Sequence, residues 1–144
     1  MADILHRLII ETTPDKLYQA LTDEKGLSAW WTKTDTTGKL GSTAQFSFGP
    51  KGDHKMEMKI TALVPDKKVE WQCVAGPWVD TGKFSFEIQP NDRGSVLLFA
   101  HCGWNQPSED FMHCNSKWGY FLVVSLKSYL ETGTGKPHPQ DPNI

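Results

Sequence analysis

Two dipeptides in the C-terminal half, His101-Cys102 and His113-Cys114, put two imidazoles and two thiols within a short length of chain. Two histidines with two cysteines form the donor set of a tetrahedral zinc site. The spacing opposes that use. Neighbours on a strand point to opposite faces, and neighbours on a helix diverge by about 100°. No metal and no other cofactor is therefore expected. His6 falls at an inward position of its strand, and an imidazole that titrates near neutrality, there or at His101, could serve as general acid or base. No aspartate or glutamate occupies an inward strand position to orient either ring, so no catalytic residue is assigned and the chain reads as a non-enzyme. A Gly-x-Ser-x-Gly nucleophile motif is absent. Thr132-Gly133-Thr134-Gly135-Lys136 resembles a phosphate loop only in composition, because it follows a helix and runs into Pro137.

The aromatic run Trp71, Trp78, Phe84 and Phe86 could stack on bases, but Lys83 is the only Lys or Arg interleaved with it, and it reads as core. A formal net charge of −2 and a pI near 6.2 over 144 residues give no basic stripe for nucleic acid or an anionic membrane. No stretch approaches the roughly 20 apolar residues of a membrane span, and the N-terminus carries no signal-like run. Cys73, Cys102 and Cys114 form no CxxC pair, an odd count that reads as reduced thiols. A soluble cytoplasmic protein is expected.

The elements that must position these residues follow from periodicity. Phe111, Cys114, Trp118, Phe121, Leu122, Ser125 and Tyr129 recur at steps of three and four, predicting a helix over 109–131, about 35 Å long. Ser108 is its N-cap, Glu109 and Asp110 suit the positive end of the dipole, and Gly133 is its stop. Ile4 to Glu11 alternates as a strand with His6 inward. Thr13-Pro14 then opens a short helix, and a second follows to Trp30-Trp31, of which one tryptophan is expected in the core and the other near the surface or a pocket mouth. From Thr43 the period becomes two. Phe46 and Phe48, then Met56, Met58 and Ile60, then Val69, Trp71 and Cys73, then Phe84, Phe86 and Ile88 each mark the inner face of an antiparallel strand. The last strand, 95–104, is apolar on both faces, and alternation does not orient it. The layout is α+β: a curved antiparallel sheet closed by one long helix, in a single domain 1–144 with an irregular tail from 133 to 144.

Several separated stretches, in order, resemble a known group. They are Thr13-Pro14-Asp15-Lys16-Leu17-Tyr18-Gln19-Ala20-Leu21-Thr22, Gly26-Leu27-Ser28-Ala29-Trp30-Trp31, His101-Cys102-Gly103-Trp104, and Trp118 through Gly133 with Gly135 and Pro137. The chain is similar to the START-like (SRPBCC, helix-grip) superfamily, and within it to the family of the activator of heat-shock-chaperone ATPase. The resemblance implies the helix-grip fold, with two short helices between the first two strands, and inward Leu97, Phe99 and His101.

The inward face is rich in Phe, Trp and Met, side chains that suit the wall of an apolar pocket. The expectation is a non-enzymatic binder of a small apolar or amphipathic ligand between sheet and helix, lined by His6, Phe48, Met58, Trp71, Phe86, His101, Trp118 and Leu122. Trp118 in particular is expected to form a pocket wall. The alternatives are a chaperone-associated interaction module or, third, an enzyme acting on a cyclic or polyketide-like substrate. Either monomer or homodimer fits.

Overall fold

A computed structural model describes residues 2–144. Strand β1 (Ala2–Ile10) is followed by helices α1 (Pro14–Thr22) and α2 (Glu24–Trp30). Six further strands complete the sheet: β2 (Lys33–Asp35), β3 (Thr43–Phe48), β4 (His54–Val64), β5 (Lys68–Ala75), β6 (Lys83–Asn91) and β7 (Gly94–Trp104). The order across the sheet is β1-β7-β6-β5-β4-β3-β2, with every neighbouring pair antiparallel. Six of its seven strands run as a meander because turn chemistry sits between the apolar runs. In the β4–β5 turn, Pro65 is followed by Asp66 at φ 63°, and Lys67 N–H returns to the Val64 carbonyl at 3.0 Å, the pattern of a type II turn. The short β2 was not legible in the sequence, since three residues carry too little alternation.

Leu17, Ala20 and Leu21 bury the inner face of α1. Gly26 lets α2 approach it: a Cβ there would lie 2.8 Å from the Ala20 Cα. Both tryptophans at the end of α2 are core, correcting the expected division between core and surface. Trp31 caps α2, its N–H bonded to the Leu27 carbonyl at 3.0 Å, and Phe46, Trp71 and Trp118 close over its ring, which stacks on Trp30 at 6.1 Å. Trp30 Nε1–H is satisfied by the Ala20 carbonyl at 2.8 Å.

The terminal helix begins as expected, with Ser108 Oγ accepting from Phe111 N–H at 3.3 Å, and stops at Gly133 in left-handed geometry. Its interior departs from the 3.6-residue reading. An α-helical segment α3 (Glu109–Gly119) passes into a π-helical segment (Tyr120–Leu126) and returns as α4 (Lys127–Thr132). The π segment carries the buried Phe121, Leu122, Ser125 and Leu126, and such widened turns are frequent at functional sites. Leu97, Phe99 and His101 of β7 all face the helix, fully buried or nearly so. The edge of β1 is tied to the same helix. Lys127 Nζ donates to the Ile9 carbonyl at 2.6 Å, and Glu131 accepts from Glu11 N–H at 2.8 Å.

The tail lacks regular secondary structure but is firmly placed. It runs back along the helix, where Lys136 N–H donates to Ser125 Oγ, Tyr120 Oη donates to the Lys136 carbonyl, and Lys117 binds Asp141. Its far side meets the β3 end of the sheet: His138 N–H donates to the Trp31 carbonyl, and His138 Nε2 accepts from Gly49 N–H.

Candidate functional site

Between sheet and terminal helix lies a continuous series of aromatic rings. At the tail end, Phe48 is half-buried under His138 (5.4 Å) and meets Trp31 edge-on at 5.5 Å. Trp31 stacks on Trp71 at 5.8 Å and packs on Trp118 at 5.0 Å. Phe86 joins Trp71 (4.8 Å) to Phe99 (5.1 Å), and Phe99 closes on Trp118 at 4.5 Å.

The series ends at His101. Four rings surround its imidazole: Phe84 at 4.0 Å, Trp78 edge-on at 4.9 Å, Trp104 at 5.1 Å and Trp118 at 6.4 Å. Trp118 Nε1–H donates to His101 Nδ1 at 3.2 Å, which places the imidazole proton on Nε2. Nε2 has no partner within hydrogen-bonding geometry, and neither do the buried Trp104 Nε1 and Thr81 Oγ1 nearby. Burial pushes the His101 pKa down to about 4, with the Thr81 main chain pulling weakly the other way. At neutral pH the ring is uncharged and is oriented by an indole instead of a carboxylate.

Trp104 joins this group through a bulge. Ala2 pairs with Trp104 and Ile4 with His101, so two steps on β1 oppose three on β7. Gly103, at φ 102°, supplies the extra residue and returns Trp104 to the His101 face. Trp78 arrives on the β5–β6 connection, just before a 3-10 turn (Val79–Thr81), between Gly76 at φ 111° and Gly82. A Cβ at Gly82 would lie 2.3 Å from the Trp78 carbonyl and 2.4 Å from the Cys73 Cβ, so only glycine lets this connection fold over the sheet end. Trp78 is half-buried and also contacts Phe84 at 5.4 Å and Trp118 at 6.0 Å, plugging the space between sheet and α3.

Of the residues singled out in the sequence, Trp71, Phe86, His101 and Trp118 come together in this series, and Met58 and Leu122 are fully buried in the same core. Phe48 lies at the tail end. His6 stands opposite Phe99, half-buried, with its Nε2 unpartnered and the terminal helix passing at Gly119, where a Cβ would sit 3.6 Å from His6 Cε1. The side chains fill this interior: Trp30, Trp31, Trp118, Phe46, Phe84, Phe86 and Phe99 are among the largest fully buried groups. Two open depressions, of about 610 and 340 Å³, lie elsewhere, one along Pro14, Lys67 and Ile88 and the other around Glu70, Gln72 and Cys102. Trp104, Thr81 and Trp31 escaped the sequence reading as site residues. Gly103 inside an apolar strand was the available signal for the first, since glycine in a strand marks a bulge.

The two His-Cys pairs diverge. His101 is buried while Cys102 lines the outer depression, His113 lies 3.0 Å from the Ile144 main-chain oxygen, and Cys114 is half-buried toward Trp78. Among the described residues no three His, Cys, Asp or Glu side chains are grouped to hold a metal ion. Burial raises all three thiols.

A seven-stranded antiparallel sheet curved around a long C-terminal helix, with two short helices after its first strand, is the helix-grip, START-like fold. Residues 11–131 match the family model of the activator of Hsp90 ATPase homolog 1-like proteins, and the chain belongs to that family. It is similar to the Aha1 of Colwellia psychrerythraea, solved as a dimer in solution (37% identity, 94% of this chain and 100% of that one, TM-score 0.84). The protein SSP2350 from Staphylococcus saprophyticus shares the fold at 15% identity (93% and 95% covered, TM-score 0.78). So does DynU16, of the dynemicin biosynthetic locus, at 16% identity (92% and 48% covered, TM-score 0.75). No curated protein sequence matches. Fold and family support a small-ligand-binding or interaction module. Among the described residues, no helix is long and apolar enough to cross a membrane.

Proposed function

We propose that the chain binds a small apolar or amphipathic molecule between the sheet and the terminal helix, without catalysing a reaction on it. The observation that carries this reading is Trp78. It is the half-exposed member of the box around His101, and it is held on a glycine-bracketed connection instead of on a strand. Swinging that connection outward would open a passage to Phe84, His101 and Trp118. The indole-oriented, uncharged imidazole supports binding over acid–base work. The other wall is the π-helical segment, where the backbone has already left its tightest packing. The ligand-contacting residues of this reading are His6, Phe48, Met58, Trp71, Phe86, His101, Trp118 and Leu122, and the cytoplasm is its setting, consistent with three free thiols.

The test is an apolar fluorescent probe such as 2-ethylnaphthalene titrated into wild type and Trp78→Ala. Saturable binding, with faster association in the variant, is the expected result. Failure of both proteins to bind any naphthalene would end the proposal.

A chaperone-associated interaction module is the second reading. It is favoured by the exposed Met112 and Val123 on the terminal helix and Leu5 on β1, together with the family's name. The dimer of the Colwellia relative would extend to this chain under either reading. Sedimentation, alone and with a chaperone of the Hsp90 class, tests both extensions.

A further inference from the structure

The sheet ends in β2 on one side and β1 on the other. β2 spans three residues, too short to template another strand, whereas β1 runs from Ala2 to Ile10. Ile4, Leu8 and Ile10 of β1 are buried on the inner face, and Asp3, Leu5 and Arg7 lie exposed on the outer one. Near its end the Ile9 carbonyl points away from β7, where Lys127 Nζ meets it at 2.6 Å, and Glu11 N–H is met by Glu131 at 2.8 Å. By the two-residue period of a strand, the N–H and C=O groups of Asp3, Leu5 and Arg7 point to the same open edge. Among the described residues no helix or tail group bonds to them. The terminal helix therefore caps the last part of the edge and leaves the first part bare. Apolar side chains flank the bare part on both faces. Leu5 is 67% exposed on the outer one. On the inner one, the helix passes His6 at Gly119 and reaches Ile9 through Lys127, which puts Val123, 48% exposed, on the stripe between them.

We propose that this edge takes a second copy of the chain, β1 against β1 in antiparallel register about a two-fold axis at Leu5. This rests on the dimeric assembly put forward above and names its interface. In that register Leu5 faces its own copy, and Asp3 of each chain faces Arg7 of the other. The bare residues then exchange main-chain hydrogen bonds as directly opposed pairs. Their side chains share the outer face, so opposite charges meet on either side of the axis. Neither charge is committed elsewhere. Among the described residues Asp3 and Arg7 form no ion pair, and Asp3 has the Cys102 thiol beside it. The charges also select the register. An axis at Arg7 would oppose two guanidinium groups and displace Lys127 from Ile9, and an axis at Asp3 would oppose two carboxylates. Such an isologous contact uses up the bare edge, so the assembly stops at two chains.

The experiment is sedimentation equilibrium of the full chain over a range of concentrations at low ionic strength, with exchange of the two charges as the diagnostic. Wild type should associate to a dimer. Asp3→Arg and Arg7→Asp each set like charges opposite one another at both symmetry-related positions, and each should weaken the dimer at least about tenfold. The double variant Asp3→Arg/Arg7→Asp puts opposite charges face to face again and should recover most of that loss. Leu5→Lys, a change at an exposed position that places two ammonium groups at the axis, should weaken the dimer by a similar factor, with the fold checked by circular dichroism. Amide hydrogen exchange at Leu5 and Arg7 should be slow in the dimer and fast in the dissociated variants. A dimer indifferent to the single changes, or single losses that the double variant does not recover, would overturn this interface while leaving a dimer formed elsewhere. A wild type that stays monomeric throughout would remove the dimeric assembly together with it. Should that monomer bind a chaperone of the Hsp90 class, and Leu5→Lys abolish the binding, the edge belongs to the chaperone and not to a second copy.

Discussion

Trp118→Ala tests how the interior is built. Trp118 is 2% exposed, touches Trp31, Phe99, Phe84 and Trp78, and donates to His101. Truncating a fully packed tryptophan costs about 3–5 kcal/mol through lost burial and an unfilled cavity. The change also leaves His101 Nδ1, inside the protein, without its only donor, at a further cost of about 1–3 kcal/mol. Against a total stability of about 5–15 kcal/mol, the variant should be marginally folded or unfolded. Trp118→Phe keeps a ring but loses the N–H, and should cost chiefly the second contribution. Leu126→Ala, a fully buried site on the same helix, serves as a packing control at about 2–5 kcal/mol. Urea unfolding followed by far-ultraviolet circular dichroism is the appropriate assay, since indole fluorescence changes with the mutation itself. A loss below about 2 kcal/mol at unchanged m-value would refute the packed interior and mean that Trp118 borders open space, as the sequence alone suggested.

Stability should also depend on pH through His101. Its folded pKa, about 4, lies below the 6.5 of a free histidine, so the unfolded chain binds more protons between the two values. The contribution is complete above pH 6.5 and is lost as pH falls toward 4, amounting to about 2 kcal/mol between pH 7 and pH 5. Replacing His101 with Phe should flatten that part of the urea-midpoint profile, and an unchanged slope would show that the imidazole is not buried neutral. Asp141→Asn should free the tail. Burial of that carboxyl opposes ionisation, but Lys117 and His138 more than offset it and hold its pKa below the usual carboxylate range. Limited proteolysis should cut 134–142 faster in the variant, and an unaltered cleavage rate would assign the tail's placement to its main-chain contacts. Gly26→Ala, ordinarily worth about 1 kcal/mol in favour of a helix, should instead destabilise by about 1–3 kcal/mol, because the added methyl meets the Ala20 backbone at 2.8 Å. A rise in melting temperature would refute the tight α1–α2 contact.

The sequence by itself determined the order of elements and the inner face of most strands. Alternation at Phe46, Met58, Val69, Trp71, Phe84 and Phe86 correctly marked buried positions, because period two admits one choice of face once one side is apolar. Ser108 and Gly133 bounded the terminal helix for local reasons, a side-chain cap and a left-handed backbone, that need no tertiary contact. His101 was found as an inward residue through the resemblance of its motif, since β7 is apolar on both faces and its own pattern could not orient it.

The tertiary structure decided what periodicity cannot encode. The π-helical segment keeps Phe121, Leu122, Ser125 and Leu126 inward at spacings an α-helix would also satisfy, so the sequence pattern does not distinguish the two. Trp31 became core because Phe46, Trp71 and Trp118 close over it, and Trp104 turned to His101 because Gly103 inserts a bulge. The tail, irregular by composition, is fixed by partners distant along the chain: Ser125, Lys117, Gly49 and the Trp31 carbonyl. Whether aromatic side chains line a space or fill it depends on the separation of sheet and helix, a distance set by all of them at once. No single stretch of sequence carries that distance, which is why the rings of Trp78, Phe84, Trp104 and Trp118 gather around His101 only in the folded chain.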